Sequence, residues 1–217
     1  MFIPDPTNPE IFHITHLQNL PGILTQRGLV SDARRISQSI GNTNIGYSHI
    51  KQRRLKRQVP VAARGFLGDY VPFNFCPRSV MLYVVNKGHL NYQGGQSPII
   101  HLVSNLAAVV AAARPWAFTD RHADVAWARY FDKPADLVHV PWGVMPKTDW
   151  RACKEERQAE FLVHELCPWA TISSIVVFNT QVEAAETSHC SKWPTSRPPP
   201  GITEREIDDQ LDQREPA

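Results

Sequence analysis

The feature that most restricts the fold is the alternation of short strand-like segments with short helices along most of the chain. The strand-like segments are rich in β-branched and aromatic residues and include FHIT, YVPFNFCP, SPIIHLVS, WAFTD and ISSIVVFN. No glycine-rich loop of the Rossmann or phosphate-loop type accompanies them. The pattern therefore favours an α+β fold, with a split antiparallel β-sheet and surrounding helices.

Helix boundaries follow from apolar spacing and capping residues. Apolar residues at helical spacing predict a helix that starts near Leu17 and is closed by Gly28. A second helix is expected to take Ser48 as its N-cap and to stop at Pro60. The segment DVAWARYF, residues 124–131, is also helix-like.

Length and composition indicate one catalytic domain followed by a tail. The chain has 217 residues, of which 42% are hydrophobic, enough for a core of ordinary size. We predict a domain over residues 1–180 and a poorly ordered tail over 181–217, proline-rich and then acidic. The N-terminal residues MFIPDPTNPE lack the features of a signal peptide, and no long apolar run occurs. A cytoplasmic protein without a membrane segment is expected.

Cysteine and histidine spacing argues against a metal centre. The four cysteines, Cys76, Cys153, Cys167 and Cys190, stand far apart without a C-x-x-C pair, which disfavours a zinc knuckle or a disulfide framework. His13 and His16 have a spacing suited to metal, yet no second ligand pair lies near them in sequence. We therefore predict no metal.

Charge is segregated along the chain although the net charge is only +2. Eight lysines or arginines and no acid lie between Asp32 and Asp69, whereas Gly201 to Ala217 carry six acids and two arginines. A basic cluster of this density indicates binding of phosphates, of a nucleotide, a nucleic acid backbone or both. A solvated helix face explains the cluster about equally well.

A single acid, Glu160, lies in the strand-like segment RQAEFLVHE, residues 157–165. Alternation places Glu160 on a half-polar face, where a solvated carboxylate is the simpler explanation. However, a long irregular segment runs from Arg121 to Glu160, and loops of this length in compact domains are commonly lids or binding elements.

Several motifs taken together resemble one family. FHITHLQNLPGIL, YSHIKQRR, DYVPFNFCPRSVMLY, YQGGQSPIIHLVS, FTDRHA and KEERQAEFLV are similar, in order and spacing, to motifs of the DarT family of DNA ADP-ribosyltransferase toxins. The resemblance covers roughly residues 10–180. It implies an ADP-ribosyltransferase-like fold, NAD as substrate, single-stranded DNA as acceptor and a DarG-like macrodomain antitoxin as partner.

The resemblance also implies roles for individual residues. Glu160 matches the catalytic glutamate, and Arg53, the first arginine of QRR, matches the active-site arginine that also contacts NAD. Arg54 is interpreted as a solvated surface residue outside the site. The expected NAD contacts are His13, Ile14, Thr15, Gly22, Val30 and Arg53; the expected nucleic-acid contacts are His122 and Lys154.

Aromatic residues near these motifs allow two interpretations each. Tyr70, Phe73 and Phe75 can form a stacking wall, but alternating aromatic residues in a strand more often belong to the core. Trp142 and Trp150 can stack on unpaired bases or pack beneath the irregular segment.

The function implied is transfer of ADP-ribose from NAD to a base of single-stranded DNA, with release of nicotinamide. A base must be unpaired before it can attack the ribose, which favours a single strand over a duplex. Thymine is the preferred acceptor, while a related branch uses guanine. The alternatives are an ADP-ribosyltransferase that acts on RNA or protein, and a non-catalytic module that binds nucleic acid.

Overall fold

A computed structural model of the chain describes residues 2–178; the predicted tail over 181–217 lies outside this range. Seven strands form one sheet in the order β6-β5-β7-β3-β1-β4-β9, and β2 pairs with β8 separately. Every pairing is antiparallel. The strands are Glu10–His16 (β1), Gly28–Val30 (β2), Tyr70–Asn74 (β3), Ile99–Asn105 (β4), Trp116–Thr119 (β5), Tyr130–Phe131 (β6), Glu160–His164 (β7), Leu166–Pro168 (β8) and Ser174–Val176 (β9).

Five α-helices lie between these strands: Leu20–Thr25 (α1), Asp32–Ser37 (α2), Ser48–Arg54 (α3), Val80–Lys87 (α4) and Leu106–Ala111 (α5). Side chains of Ser31, Ser79 and Asn105 cap α2, α4 and α5 by accepting backbone N–H bonds. Between β6 and β7, the irregular segment contains four short 3-10 helices.

The large sheet is split between β1 and β3. Only Phe12 and Asn74 are paired there, so the two strands diverge beyond that point. The next residue of β3 that faces β1 is Pro72, which has no N–H to offer a ladder. The His13 ring bonds the Pro72 carbonyl oxygen instead, at 2.8 Å from Nδ1. The predicted α+β class with a split antiparallel sheet is confirmed, and the split opens a cleft at β1.

The core lies on both faces of β7. Phe161 and Val163 belong to the main hydrophobic cluster, while Leu162, on the opposite face, belongs to a smaller cluster that includes Tyr70. Residues 160–163 of β7 are buried because β3 and β5 flank the strand on either side. The alternative of a solvated carboxylate is therefore excluded for Glu160, which is buried.

Three predicted helix boundaries are corrected. Gly28 starts β2 and does not close α1, which ends at Thr25. The N-cap of α3 is Tyr47 and not Ser48, and α3 ends at Arg54, well before Pro60. The segment 124–131 is a turn that leads into β6, because its side chains and backbone bond to distant parts of the chain instead of forming a helix.

We expect Phe161→Ala to lower the free energy of unfolding by roughly 3–5 kcal/mol, because it leaves a cavity among buried aromatic rings. Phe161 is fully buried, with Phe75 at 6.3 Å and Trp116 at 5.5 Å between ring centroids. Urea unfolding measures the change. The control is Val138→Ala at a residue that is 77% exposed, where the change should stay within about 0.5 kcal/mol. Equal changes in the two variants would contradict the described core.

Candidate active site

A cavity of about 400 Å³ occupies the cleft beside β1. Its walls come from β1, α1, β2, α3 and β3, from residues 40–47, and from residues near the start of β7. The β1 residues predicted to bind NAD, His13, Ile14 and Thr15, line this cavity together with Gly22 and Val30. The structure therefore brings these five predicted residues into one site.

Glu160 is fixed at the wall of the cavity by three hydrogen bonds. Arg54 donates from Nη1 to Oε1 at 3.0 Å and from Nη2 to Oε2 at 2.9 Å. The backbone N–H of Ala123 donates to Oε1 at 3.0 Å. Oε2 thus keeps a lone pair for a further donor. Since Glu160 is only 6% exposed, these contacts hold its carboxylate in one orientation.

The environment keeps Glu160 ionised. Burial favours the neutral form, but the Arg54 guanidinium and, to a lesser degree, His122 outweigh burial and lower the pKa of the Glu160 carboxyl. The bidentate geometry adds two charge-assisted bonds that a lysine could not supply in the same plane. The cavity wall therefore contains a fixed negative charge, the Glu160 carboxylate. Its donors are the neutral Ala123 N–H and the cationic Arg54.

Of the two consecutive arginines, Arg54 lines the cavity and Arg53 does not. The prediction that Arg54 is a solvated residue outside the site is wrong. Arg53 points elsewhere: its side chain is 60% exposed and its Nε donates to Asp124 at 2.7 Å. Neighbouring residues of a helix point about 100° apart, so only one of the two arginines can reach Glu160.

His13 forms a hydrogen bond across the split between β1 and β3, and it faces the cavity. Its Nδ1 is 2.8 Å from the Pro72 carbonyl oxygen, which can only accept, so Nδ1 carries the proton. Burial lowers the pKa of His13 more than this bond raises it. A neutral ring with a protonated Nδ1 leaves Nε2 as an acceptor for a ligand donor.

An asparagine side chain attaches residues 40–47 to β1. Asn19 Nδ2 donates to Thr15 Oγ1 and to the Thr43 carbonyl oxygen, both at 3.0 Å, and Asn19 Oδ1 accepts from Thr43 N–H at 2.7 Å. Because Thr15 Oγ1 accepts here, its own proton remains available for another acceptor. The predicted residue Thr15 is thus both part of the wall and a donor.

Basic groups lie beside the cavity as well as in it. Lys51 and Arg35 line the cavity and both contact Asp32, at 3.3 Å and 3.2 Å. Burial would raise the pKa of the Asp32 carboxyl, but these two cations lower it. The basic cluster recognised in the sequence is therefore in part a structured wall of the cavity and not only a solvated helix face.

The predicted nucleic-acid residues His122 and Lys154 also line the cavity. His122 Nε2 is 4.0 Å from Glu160 Oε1, and burial lowers the pKa of its ring more than Glu160 raises it. Lys154 is exposed. A backbone bond of 2.9 Å from His122 N–H to the carbonyl oxygen of Glu155, the residue after Lys154, joins the two segments.

The irregular segment before β7 is anchored by Arg157. Its guanidinium is buried and donates to three backbone carbonyl oxygens, those of Val144, Met145 and Arg78, at 2.7–3.1 Å. Burial lowers the pKa of Arg157, and no acid lies among its hydrogen-bond partners in the described part of the chain. Sequence reasoning missed Arg157, since nothing in the segment RQAEFLVHE distinguishes a buried arginine from an exposed one.

The aromatic alternatives are resolved in favour of packing. Tyr70, Phe73 and Phe75 are buried in the core, and of the three only Phe73 also lines the cavity. Trp142 packs edge-on against Phe75 at 5.3 Å and donates its N–H to the Leu137 carbonyl oxygen. Trp150 packs edge-on against Tyr83 at 5.4 Å. None of these rings is exposed.

Among residues 2–178, no group of three or more histidine, cysteine, aspartate or glutamate side chains is arranged to hold a metal ion. Within the same residues, no helix has the length and apolar character needed to cross a membrane.

Comparison with known proteins gives consistent results. A family model described as "ssDNA thymidine ADP-ribosyltransferase, DarT" matches residues 12–198. A DNA ADP-ribosyl transferase of Thermus aquaticus is 42% identical over 190 residues, which are 88% of this chain and 84% of that protein.

Two solved structures of DarT from Thermus sp. 2.9 share the fold. The complex with ADP-ribosylated single-stranded DNA has a TM-score of 0.86 and 39% identity, covering 95% of this chain and 97% of the other. The complex with NAD has a TM-score of 0.81 and 36% identity, covering 94% and 98%.

The fold therefore places the chain among the ADP-ribosyltransferases, as the sequence predicted. The Glu160 carboxylate lies in the wall of the cavity at the split of the sheet. The chain belongs to the DarT family of single-stranded DNA thymidine ADP-ribosyltransferases.

We expect Arg54→Met to lower the free energy of unfolding by roughly 3–5 kcal/mol at neutral pH, because it leaves the buried Glu160 carboxylate without its cation. The side chains are only 13% and 8% exposed, so solvent screens the pair weakly. The matched control is Lys56→Met, at an exposed lysine of the same basic cluster.

The difference between Arg54→Met and wild type should shrink as the pH falls. In wild type the folded-state pKa of Glu160 lies below 4.5, so the contribution of the pair is present above that value and is lost as pH falls through the folded pKa. In the variant, burial raises this pKa, which makes the variant relatively more stable in acid. Urea unfolding at several pH values checks this, and a difference independent of pH would refute it.

Proposed function

We propose that Glu160 promotes transfer of ADP-ribose from NAD to thymidine in single-stranded DNA, with nicotinamide as the leaving group. The observation that carries this proposal is the ionised, buried carboxylate held in the cavity wall by Arg54 and Ala123. Positive charge develops on the ribose as the glycosidic bond to nicotinamide breaks. A preorganised negative charge stabilises that state without reorganisation of solvent.

The remaining lone pair of Glu160 Oε2 defines how the carboxylate acts. Three donors occupy the other lone pairs, two of them on Oε1. One ribose hydroxyl can therefore bind Oε2 while the Arg54 fork stays in place. Glu160 then positions the ribose and stabilises its charge at the same time.

The NAD contacts follow from the cavity lining. We assign His13, Ile14, Thr15, Gly22 and Val30 to NAD, because all five line the cavity that contains Glu160. His13 offers an acceptor and Thr15 a donor, while Gly22 has no atom within 4 Å of where a side chain would begin. Such a set binds hydroxyl and amide groups of a dinucleotide.

The role of the active-site arginine is proposed for Arg54 in place of Arg53. Only Arg54 contacts Glu160, whereas Arg53 binds Asp124 on the loop beside the cavity. Arg54 stays protonated, since its proximity to Glu160 raises its pKa despite burial. Its contribution is therefore positioning and charge stabilisation and not proton removal.

The acceptor strand is proposed to contact His122 and Lys154. Both residues line the cavity that contains Glu160. Lys154 forms no ion pair within residues 2–178, so its charge is available to a phosphate. The acceptor is proposed to be single-stranded DNA. A DarG-like macrodomain antitoxin that removes the ADP-ribose, and hence a toxin role in the cytoplasm, is proposed from the family resemblance.

Incubation with NAD and a single-stranded oligonucleotide containing one thymidine should add the mass of one ADP-ribose to the oligonucleotide. Glu160→Gln keeps the shape of the side chain but removes its charge, so we expect a loss of rate of roughly 100- to 1,000-fold. Arg54→Lys should lower the rate roughly 10- to 100-fold by misplacing Glu160, and the matched control Arg53→Lys should lower it much less.

Other outcomes of this assay identify the alternatives. Label on RNA or protein alone would indicate a transferase with another acceptor. Binding of the oligonucleotide without any mass gain would indicate the non-catalytic module. A larger loss in Arg53→Lys than in Arg54→Lys would return the arginine role to Arg53.

Removal of the Lys154 charge should reduce the salt dependence of DNA binding. For a single strand, each phosphate contact contributes about 0.7 to the slope of log affinity against log salt. We expect Lys154→Gln to lower the slope by about this amount, measured by fluorescence anisotropy with a labelled oligonucleotide. Lys87→Gln, at a lysine near Tyr83 on α4, serves as the control. An unchanged slope in Lys154→Gln would exclude the contact.

A further inference from the structure

Trp127 is the only exposed tryptophan among residues 2–178, with 60% of its surface accessible. The other four described tryptophans pack against the core or against Tyr83. Trp127 belongs to none of the described hydrophobic clusters. An exposed indole offers a flat aromatic face on which an unpaired base can stack.

The indole is held in one orientation. Its Nε1 donates to Glu155 Oε2 at 3.1 Å, so one edge of the ring is fixed. The backbone carbonyl of Glu155 in turn accepts from His122 N–H, at 2.9 Å. Trp127 and His122 therefore both bond Glu155, the residue that follows Lys154.

The loop that carries Trp127, residues 120–129, is closed and rigid. Asp120 is buried and accepts from Arg129 at both the backbone N–H, at 3.1 Å, and the side-chain Nε, at 2.7 Å, which joins the two ends of the loop. Asp124 binds Arg53 of α3, and the Val125 carbonyl accepts from Arg57. The loop does not need to order on binding, which lowers the entropic cost of using it as a binding surface.

The same loop touches the reaction centre. Ala123 N–H bonds Glu160, and Ala123 and Trp127 are four residues apart. Four residues span at most about 14 Å when fully extended, and less in a bonded turn. The Trp127 backbone therefore lies within about 14 Å of Ala123, close enough for one strand to contact the indole and the base at Glu160.

The charges around Trp127 suit a nucleic acid strand. Arg129, two residues from Trp127, pairs with Asp120, and Arg53 pairs with Asp124, but both side chains keep 60% exposure; Lys154 is exposed and has no ion pair within the described residues. The acid that faces the ring, Glu155, is already bonded to the indole N–H. An exposed ring among exposed cations favours stacking of a base whose phosphates bind the cations.

We propose that Trp127 is a second base-binding site, on which an unpaired nucleobase next to the modified thymidine stacks. The site recognises the flat face of a base and so holds the strand without reading its sequence. This inference rests on the proposed function, since it assumes that the modified base lies at Glu160. It makes Trp127 a determinant of affinity for the acceptor strand, separate from the NAD cavity.

The test measures the KM for a series of single-stranded oligonucleotides that each contain one thymidine. One member is intact, and the others carry a single abasic residue at one or two positions before or after the thymidine. For wild type we expect KM to rise roughly tenfold for the abasic residue at one of these positions. Trp127→Ala should show a KM raised roughly tenfold for the intact oligonucleotide and no further rise for that abasic substrate.

Two further variants separate stacking from a structural role. Trp127→Phe keeps an aromatic ring but loses the N–H, so it should retain most of the affinity and the abasic sensitivity. Leu90→Ala removes an apolar side chain that is 93% exposed on the turn before β4, and should leave KM unchanged. The KM for NAD should be the same in all variants.

The proposal is overturned if Trp127→Ala leaves KM for the intact oligonucleotide unchanged, or if it raises KM equally for every abasic substrate. Absence of product from wild type would instead refute the proposed reaction. In that case anisotropy of the same labelled oligonucleotides still tests the site, because loss of the base at one position should weaken binding to wild type but not to Trp127→Ala.

Discussion

The buried ion pair between Glu160 and Arg54 is the interaction on which the rest of the site depends. It joins the first residue of β7 to the last residue of α3, and the Ala123 N–H adds the loop 120–129 to the same carboxylate. Removal of either charge leaves the other buried without a partner, which is far more costly than loss of a surface pair. The Glu160 carboxylate, helix α3 and the loop 120–129 are therefore directly bonded to one another. The position of each constrains the positions of the other two.

This unit needs a cleft, and the cleft arises from a gap in hydrogen bonding. A continuous ladder between β1 and β3 would close the sheet and leave no room for a dinucleotide. Pro72 has no N–H to continue the ladder, and His13 binds its carbonyl from the side. The strands part after Phe12 and Asn74, and β1 turns its residues His13 and Thr15 to the cavity. Pro72 and His13 together thus keep β1 and β3 apart and leave room for the cavity.

Much of the fold follows from the sequence because its signals are local. Apolar alternation located β1, β3, β4, β5 and β9, and serine or asparagine caps agree with the starts of α4 and α5. The helix predicted over 124–131 failed because its acid and its tryptophan bond to residues distant in sequence, Arg53 and Glu155, which no local pattern reveals. The motif assigns the carboxylate role to Glu160, but no local pattern shows which of Arg53 and Arg54 faces it. Consecutive helix residues point about 100° apart, and only the folded position of α3 shows that Arg54 reaches Glu160. The exposure of Trp127 is likewise a property of the folded loop.

The central claim is that the fixed carboxylate of Glu160 meets the ribose from which nicotinamide departs. A crystal structure of this chain with NAD bound tests it most directly. The account predicts that Glu160 Oε2 accepts a hydrogen bond from a hydroxyl of the nicotinamide ribose, with both Arg54 bonds retained. A dinucleotide bound in the opposite direction, with its adenosine end at Glu160, or a carboxylate turned away from the ribose, would contradict it.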